Sequence, residues 1–301
     1  MATSANPAYV KAGKIAARVL DEVSQIAVPK TRVIKLCTIA EKKIVEYGGR
    51  PAFPCNICID HIAAHRTSPW DDKTTLPSFG LVKIDVGVHI DGHIVDTALT
   101  KDMDGSLEGF IAATDDALHE TLDLMKPGVE LGEVGKSIEK VIKAYGLRSV
   151  KNLTGHNIQR FKLHAGKTLP NTKTRSRERI EEGEYYAIEP YATSGSGEVF
   201  DTDFVYIFTN SSIDEPLEGT NEKLRVYLRK KYGPFPFTTR WVKSSNPNVS
   251  LLDEFKQLLK SKAIIGHPML VEKGNRPVSV SEHTVFVSDN NPIILTNRKE
   301  G

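Results

Sequence analysis

At 301 residues, 40% apolar and 26% charged, the chain can bury a large core as one domain or two and has the composition of an ordinary globular protein. Forty Lys and Arg against 38 Asp and Glu leave a formal net charge of +2, too small for nucleic acid or an acidic surface to be the main partner. No apolar run approaches the ~20 residues of a membrane span and no signal-peptide core follows Met1 to Pro7, so a cytoplasmic protein without a membrane partner is expected.

Two amphipathic helices are expected first. Pro7 to Ala27 carries Val10, Val19, Val23 and Ile26 on its apolar stripe; Thr31 to Tyr47 carries Val33, Leu36, Ala40, Ile44 and Val45 and stops at Gly48-Gly49. The three cysteines are too sparse to staple a chain of this size. Cys37 lies on the second stripe and reads as core. Cys55-Asn56-Ile57-Cys58 has CxxC spacing but no second pair or nearby ligands, so structural thiols are favoured over a zinc or redox site.

Leu81 to Thr100 reads as a hairpin with its turn at Asp91-Gly92. Val82, Ile84, Val86, Val88 and Ile90 alternate with Lys83, Asp85, Gly87 and His89, the period of two of a strand with one apolar face. A two-residue loop sets Ile90 opposite His93, Gly87 opposite Asp96 and Asp85 opposite Ala98. Asp85 and Asp96 are then diagonal neighbours on one face, roughly 7–8 Å apart at Cα and within joint reach of one or two ions. A three-residue loop puts them on opposite faces. His89 lies roughly 13 Å along the strand from Asp85, and His93 falls in the turn, facing water; both read as structural.

Two more helices, Ser106 to Met125 and Gly132 to Tyr145, end at Pro127-Gly128 and Gly146. Arg148 to Phe208 is strand-rich, with Tyr185-Tyr186-Ala187-Ile188-Glu189 and the turn Ser194-Gly195-Ser196-Gly197. Each half thus runs through helices, a strand with an acid in apolar sequence, a Gly-rich turn and a strand containing Asp. That is the plan of a pseudo-symmetric α+β core with its site between the halves. Residues 218–262 hold two helical patterns, Thr220 to Tyr232 and Ser250 to Lys262, joined in part by the run Ser244 to Asn248, and read as a helical insertion with Ser250 and Asp253 as a capping box. Pro277 to Val287 supplies a last strand carrying Glu282, ahead of a polar tail from Asn297 to Gly301.

Three residues extend the hairpin pair: His156 in Gly155-His156-Asn157, Glu189 in Ala187-Ile188-Glu189-Pro190, and Glu282 in Ser281-Glu282-His283-Thr284. Singly, a Glu in a strand is more often a solvated face residue, and a His after Gly a turn residue. Together, four carboxylates embedded in apolar strands are costly to bury, because like charges oppose joint ionisation, unless cations neutralise them. Two divalent ions balance four carboxylates.

On these residues, and on Phe53-Pro54, Ala63-Ala64-His65, Lys83-Ile84-Asp85-Val86-Gly87, Val95-Asp96 and His164-Ala165-Gly166-Lys167-Thr168, the sequence resembles the methionine aminopeptidases of the pita-bread fold, nearly end to end and in the family's order. The archaeal-like type II members are the nearer match. Phe235 to Trp241 is similar to the helical subdomain that separates type II from type I, and no long charged N-terminal extension of the eukaryotic kind is present. The resemblance implies one catalytic domain over residues 1–301, antiparallel sheets flanked by outer helices, with 218–262 as an insertion subdomain. It implies that Asp85, Asp96, His156, Glu189 and Glu282 ligate two divalent ions. Asp96 and Glu282 would bridge both, Asp85 would complete one site, and His156 with Glu189 the other. It also implies that His65 and His164 flank the scissile bond without ligating. A metal-bridging hydroxide would attack the carbonyl after an N-terminal Met, with Glu189 carrying its proton to the leaving amine. An oxygen-rich set with one imidazole suits Mn(II), Fe(II), Co(II) or Zn(II) alike.

Phe53 is expected in the apolar methionine pocket, and Lys167 reads equally as a substrate contact or a solvated lysine. His267-Pro268 stands where the family has Tyr-Pro, Val280-Ser281 where it has Gln and an aromatic, and Arg66-Thr67-Ser68-Pro69 where it has a shorter Tyr-Thr-Pro. These departures touch the pocket and no ligand. The same fold hosts X-Pro peptidases and inactive relatives that bind RNA or proteins. All five ligands are present, against the inactive reading, and the first helices lead almost directly into the catalytic half, where a prolidase carries an additional N-terminal domain. The expected substrates are nascent proteins and peptides and the expected state is a monomer. Ribosome association is compatible with those substrates, although no dedicated segment or nucleic-acid site stands out.

Overall fold

Asn6 starts the first helix: its side-chain oxygen accepts the Ala8 N–H at 2.9 Å, and Pro7 takes the first helical position, where no N–H is needed. The computed structural model describes residues 4–213, 220–242, 250–289 and 291–298. Helix α1 (Pro7–Ile26) packs on the hairpin formed by Leu81–Ile90 and His93–Asp102, and α2 (Val33–Glu46) packs on α1 and on the strands Arg50–Pro51 and Asn56–Ile59 beside it; of the expected stripes, Ile26 and Val45 are exposed. Leu20, Leu36 and Ile44 are among the fully buried side chains there, each worth about 1.5–3 kcal/mol on transfer from water.

The hairpin has the two-residue loop. Asp91 and Gly92 have φ of 50° and 85°, the paired positive values that a type I′ turn requires. Ile90 stands opposite His93, Gly87 opposite Asp96 and Asp85 opposite Ala98. The strand has two buried faces, however, where the alternation pointed to one. Val82, Ile84, Val86 and Val88 pack in the cluster with the helices, while Lys83 and His89 are only 1% and 7% exposed. Lys83 donates to the Asp60 carbonyl at 2.6 Å, and His89 stacks on Phe235 at 4.0 Å. A period of two says which residues share a side, but not what covers that side. His93 is likewise partnered rather than turned to water: its ring meets Tyr9 edge-on at 5.0 Å.

Helices α3 (Glu108–Leu122) and α4 (Leu131–Ala144) repeat the arrangement over a second sheet, whose strands run in the order Ile293–Ile294, His283–Phe286, Tyr185–Ile188, Thr154–Ile158 and Thr168–Pro170. Ala113, Ala117, Val134 and Ile138 pack there with Tyr186, Ile188 and Val285. Helices laid twice over strands give the pseudo-symmetric α+β plan.

The expected single strand from Pro277 to Val287 is two strands. Val278–Val280 pairs with Tyr191–Thr193, whereas His283–Phe286 pairs with Tyr185–Ile188. Both chains change sheet at the same level: Ile188 is opposite His283 and Tyr191 is opposite Val280. Glu189-Pro190 and Ser281-Glu282 are therefore left facing each other in the gap, and neither acid lies within a strand as the sequence reading had it.

Helices α5 (Thr220–Tyr232) and α6 (Leu251–Lys260) close around Phe208, Phe237 and Phe255. Of the expected insertion, residues 218, 219 and 243–249, with the run Ser244 to Asn248, lie outside the described residues, as do 299–301 of the expected tail. Ser250 occupies the cap position of α6 without a side-chain cap bond, so the capping box does not form; its carbonyl instead accepts the Asp253 N–H at 2.9 Å. Among the described residues no helix is long and apolar enough to cross a membrane.

Glu41 on α2 ties this helical unit to the first sheet. It forms an ion pair with Arg240, accepts the Trp241 indole N–H at 2.8 Å, and accepts the Cys55 N–H at 3.2 Å, one residue from the strand Asn56–Ile59. Both charged side chains are close to 90% buried. Arg240→Met therefore leaves a buried carboxylate without its cation and is expected to cost about 3–5 kcal/mol in urea unfolding. Adding Glu41→Gln to that variant is expected to recover part of the loss; a single variant as stable as wild type contradicts the assignment.

Candidate metal centre

All eight residues singled out in the sequence line one cavity of about 600 Å³: Phe53, His65, Asp85, Asp96, His156, His164, Glu189 and Glu282. Asp85 and Asp96 come from the hairpin, His156 from the strand Thr154–Ile158, and Glu189 and Glu282 from the gap where the chain changes sheet. Ligand atoms of Asp96, His156 and Glu282 all lie within 4.8 Å of one another. His156 Nε2 is 3.7 Å from Asp96 Oδ2 and 3.6 Å from Glu189 Oε1. The two halves are locked across this point. The Thr284 hydroxyl accepts the Asp96 N–H and donates to the Asp96 carbonyl, both at 2.7 Å, and the Thr97 hydroxyl donates to the Glu282 carbonyl at 2.8 Å.

The cavity wall is set by backbone as much as by side chains. A Cβ on Gly87 would sit 2.1 Å from the Phe53 ring, so glycine is what lets that ring lie against the hairpin opposite Asp96. His65 is held in the left-handed region at φ 62°, with Nδ1 3.2 Å from the Pro268 carbonyl. The His164 ring lies 4.0 Å from that of His156. Ile207 and Leu270 add apolar surface, and the Thr209 hydroxyl meets His267 Nε2 at 3.0 Å.

Burial governs the charges. It pushes Asp85 up to about 6, partly offset by the Asn56 hydrogen bond. Burial raises Asp96, Glu189 and Glu282 well above the usual carboxylate range as well, and the negative charge of their neighbours adds to it. Burial, then the nearby His164, lowers His156 to about 3, so its imidazole is neutral. Burial followed by His267 lowers His65 to about 4. Asp85 Oδ1, Asp96 Oδ1 and His156 Nδ1 are buried without a hydrogen-bond partner. Acceptor oxygens turned together and unsatisfied, beside a neutral imidazole, fit a divalent cation.

The comparisons with known proteins agree with this chemistry. Residues 8–210 match the model of metallopeptidase family M24. The chain is 38% identical over 293 residues to a methionine aminopeptidase of Methanothermobacter thermautotrophicus, covering 96% of this chain and 97% of that one. The chain belongs to the methionine aminopeptidases of family M24. Among solved structures it superposes on a thermophilic Arx1 with a TM-score of 0.83 at 18% identity, covering 96% and 89% of the two chains. It superposes on the methionine aminopeptidase of Thermotoga maritima with a TM-score of 0.70 at 19% identity, covering 99% and 100%. These likenesses show the pita-bread fold.

Other residues fall outside the sequence reading or against it. Asn56 and Tyr191 line the cavity and were not singled out, since neither a strand Asn nor a strand Tyr carries a ligand signal. Lys167 is neither solvated nor turned to substrate: its ammonium pairs with Glu184 at 2.7 Å and Glu181 at 2.9 Å. Cys37, Cys55 and Cys58 are free and buried.

Raised carboxylates hold protons that an incoming cation must displace, so metal binding is expected to release protons and to tighten as pH rises through about 6, where Asp85 is placed. His156, neutral down to about 3, contributes none of them. Folded values above the unfolded ones also mean that these acids support the metal-free protein below the unfolded carboxylate range and lose that contribution as pH rises through the folded values. Titration calorimetry with Mn(II) in buffers of different ionisation heat checks the proton count. An affinity that stays flat between about pH 5 and pH 8 contradicts the shifts.

Proposed function

We propose that the chain removes the N-terminal methionine of peptides and nascent proteins, using two divalent ions held by Asp85, Asp96, His156, Glu189 and Glu282. The observation that carries this reading is the convergence of four acids, two buried and two partly buried, and one neutral imidazole, with polar atoms left unpartnered, on a cavity with an apolar wall. Asp96 and Glu282, on facing sides of the gap between the halves, would bridge both ions; Asp85 would serve one, and His156 with Glu189 the other. Divalent ions there would supply a water of lowered pKa and polarise the scissile carbonyl. Mn, Fe, Co and Zn all suit the donor set.

The side chains then have distinct work. Glu189, at the rim of the tight Asp96–His156–Glu282 group, is the proposed proton carrier from the attacking water to the leaving amine. His65 with Nδ1–H donating to the Pro268 carbonyl presents Nε2 as an acceptor, the assignment that this contact favours. A neutral imidazole so oriented can accept the substrate amide N–H, and His164 can meet the carbonyl oxygen as it becomes tetrahedral. Phe53, Ile207 and Leu270 suit a thioether side chain, with the Thr209–His267 pair as the polar end of the wall.

The same reading treats residues 1–301 as one catalytic domain with 218–262 as an insertion. Pro234 and Pro236 line the cavity, which supports a role for that insertion as pocket wall. A monomer acting in the cytoplasm on chains leaving the ribosome completes the proposal.

Met-Ala-Ser and Ala-Pro peptides assayed with Mn(II) or Co(II) discriminate the readings. Cleavage of Met-Ala-Ser that chelator abolishes is expected; cleavage of the Pro peptide alone sinks the assignment in favour of an X-Pro peptidase. Glu189→Gln is expected to lower kcat by roughly 10²–10⁴-fold, and unchanged turnover removes Glu189 from catalysis.

A further inference from the structure

Between His156 and His164 the chain turns back at the mouth of the cavity. Gln159 and Lys162 exchange both backbone N–H to carbonyl bonds at 2.9 Å, so Arg160 and Phe161 are the central residues of a tight turn. Phe161 has φ 61°, a left-handed conformation that suits Gly or Asn at this turn position and is an outlier for a bulky side chain. The turn is seated on the tip of the Asp91-Gly92 hairpin. The Phe161 N–H donates to the Gly92 carbonyl at 2.8 Å, and Arg160 Nε to the Asp91 carbonyl at 2.9 Å. A Cβ on Gly92 would lie 2.5 Å from the Phe161 ring, so glycine lets that ring lie against the hairpin. Phe235, which follows α5, approaches the same ring at 6.0 Å between centroids and is itself stacked on His89.

We infer that Phe161 is a specificity-determining residue, its ring limiting the size of the side chains on the first two residues after the methionine. This role rests on the aminopeptidase reading. Packing alone does not account for the residue. Phe161 lines the cavity yet is 44% exposed, so a strained backbone holds nearly half of it open at the mouth. Glycine would make the same turn without strain. The apolar wall assigned to the methionine is buried, with Phe53 and Ile207 6% and 4% exposed, so the rest of the peptide leaves past the exposed rim. Phe161 stands three residues from His164, the residue proposed to meet the scissile carbonyl, whose ring lies 4.0 Å from that of His156. Three residues span at most roughly 10 Å, the reach of about two or three extended residues of peptide. Gly92 backs the Phe161 ring and Phe235 flanks it, and an aromatic wall held in that way discriminates by bulk.

Values of kcat/KM for Met-Ala-Ser, Met-Leu-Ser and Met-Ala-Leu with Mn(II) test the inference in wild type, Phe161→Gly, Phe161→Ala and Phe161→Tyr. Wild type is expected to favour Met-Ala-Ser. Phe161→Gly and Phe161→Ala are expected to raise kcat/KM for at least one of the leucine-containing peptides relative to Met-Ala-Ser by about 10-fold or more. Phe161→Tyr keeps the ring and is expected to keep the ratios of wild type. A merely structural role would lower all three rates together and leave their ratios unmoved. Ratios within about threefold of wild type in both Phe161→Gly and Phe161→Ala overturn the inference and leave the aminopeptidase reading standing. A wild type without preference among the three peptides, or Phe161→Tyr relaxed as far as Phe161→Gly, does the same. A wild type that cleaves no methionyl peptide overturns that reading and the inference with it. Phe161→Ala carries the test where Phe161→Gly loosens the turn.

Discussion

Four carboxylates share one site, Asp96 and Glu282 buried and Asp85 and Glu189 partly buried, and none of them makes an ion pair with Lys or Arg among the described residues; His156 alone approaches two of them. Ionised together without cations, they would repel one another where water cannot screen them, at a cost of several kcal/mol for each buried charge. The metal-free protein resolves this with protons: burial and the charge of their neighbours raise all four acids. Divalent cations resolve it with charge. The rest of the site is arranged so that the second solution remains available.

The fold delivers the acids by two different devices. On the hairpin, a two-residue turn with both residues at positive φ sets the parity that brings Asp85 and Asp96 to one face. Across the molecule, two chain segments switch sheets at the same level, and Glu189 and Glu282 project from the gap where strand pairing lapses. Thr284 and Thr97 then bind the hairpin to that gap through backbone atoms, so that the acids of one half are registered against those of the other. A site assembled from rigid strands on both sides holds its oxygens where an ion needs them without a ligand to order it.

How much of this was legible follows from the range of each signal. The hairpin pair could be read because a turn and a period of two are local, and both acids fall within one hairpin. The remaining proposed ligands were nameable through the family resemblance, but the sheet crossing was not, because it depends on which of two distant sheets each residue joins. The buried faces of Lys83 and His89 were misjudged for the same reason: what covers a strand comes from elsewhere in the chain. Lys167 was open because its partners, Glu181 and Glu184, are fixed only by the loop's path. Asn56 and Tyr191 escaped notice because neutral polar residues in strands carry no charge pattern. Helix ends coincide or differ by up to three residues, as fraying termini do.

The central claim is that two cations, bridged by Asp96 and Glu282, neutralise the four acids. An anomalous-scattering map of crystals grown with Mn(II) tests it most directly, since it counts the ions and locates them together. The account predicts two peaks roughly 3.5–4 Å apart, with Asp96 and Glu282 touching both, Asp85 touching one and His156 with Glu189 touching the other. One peak alone, or two peaks that share neither Asp96 nor Glu282, would contradict it.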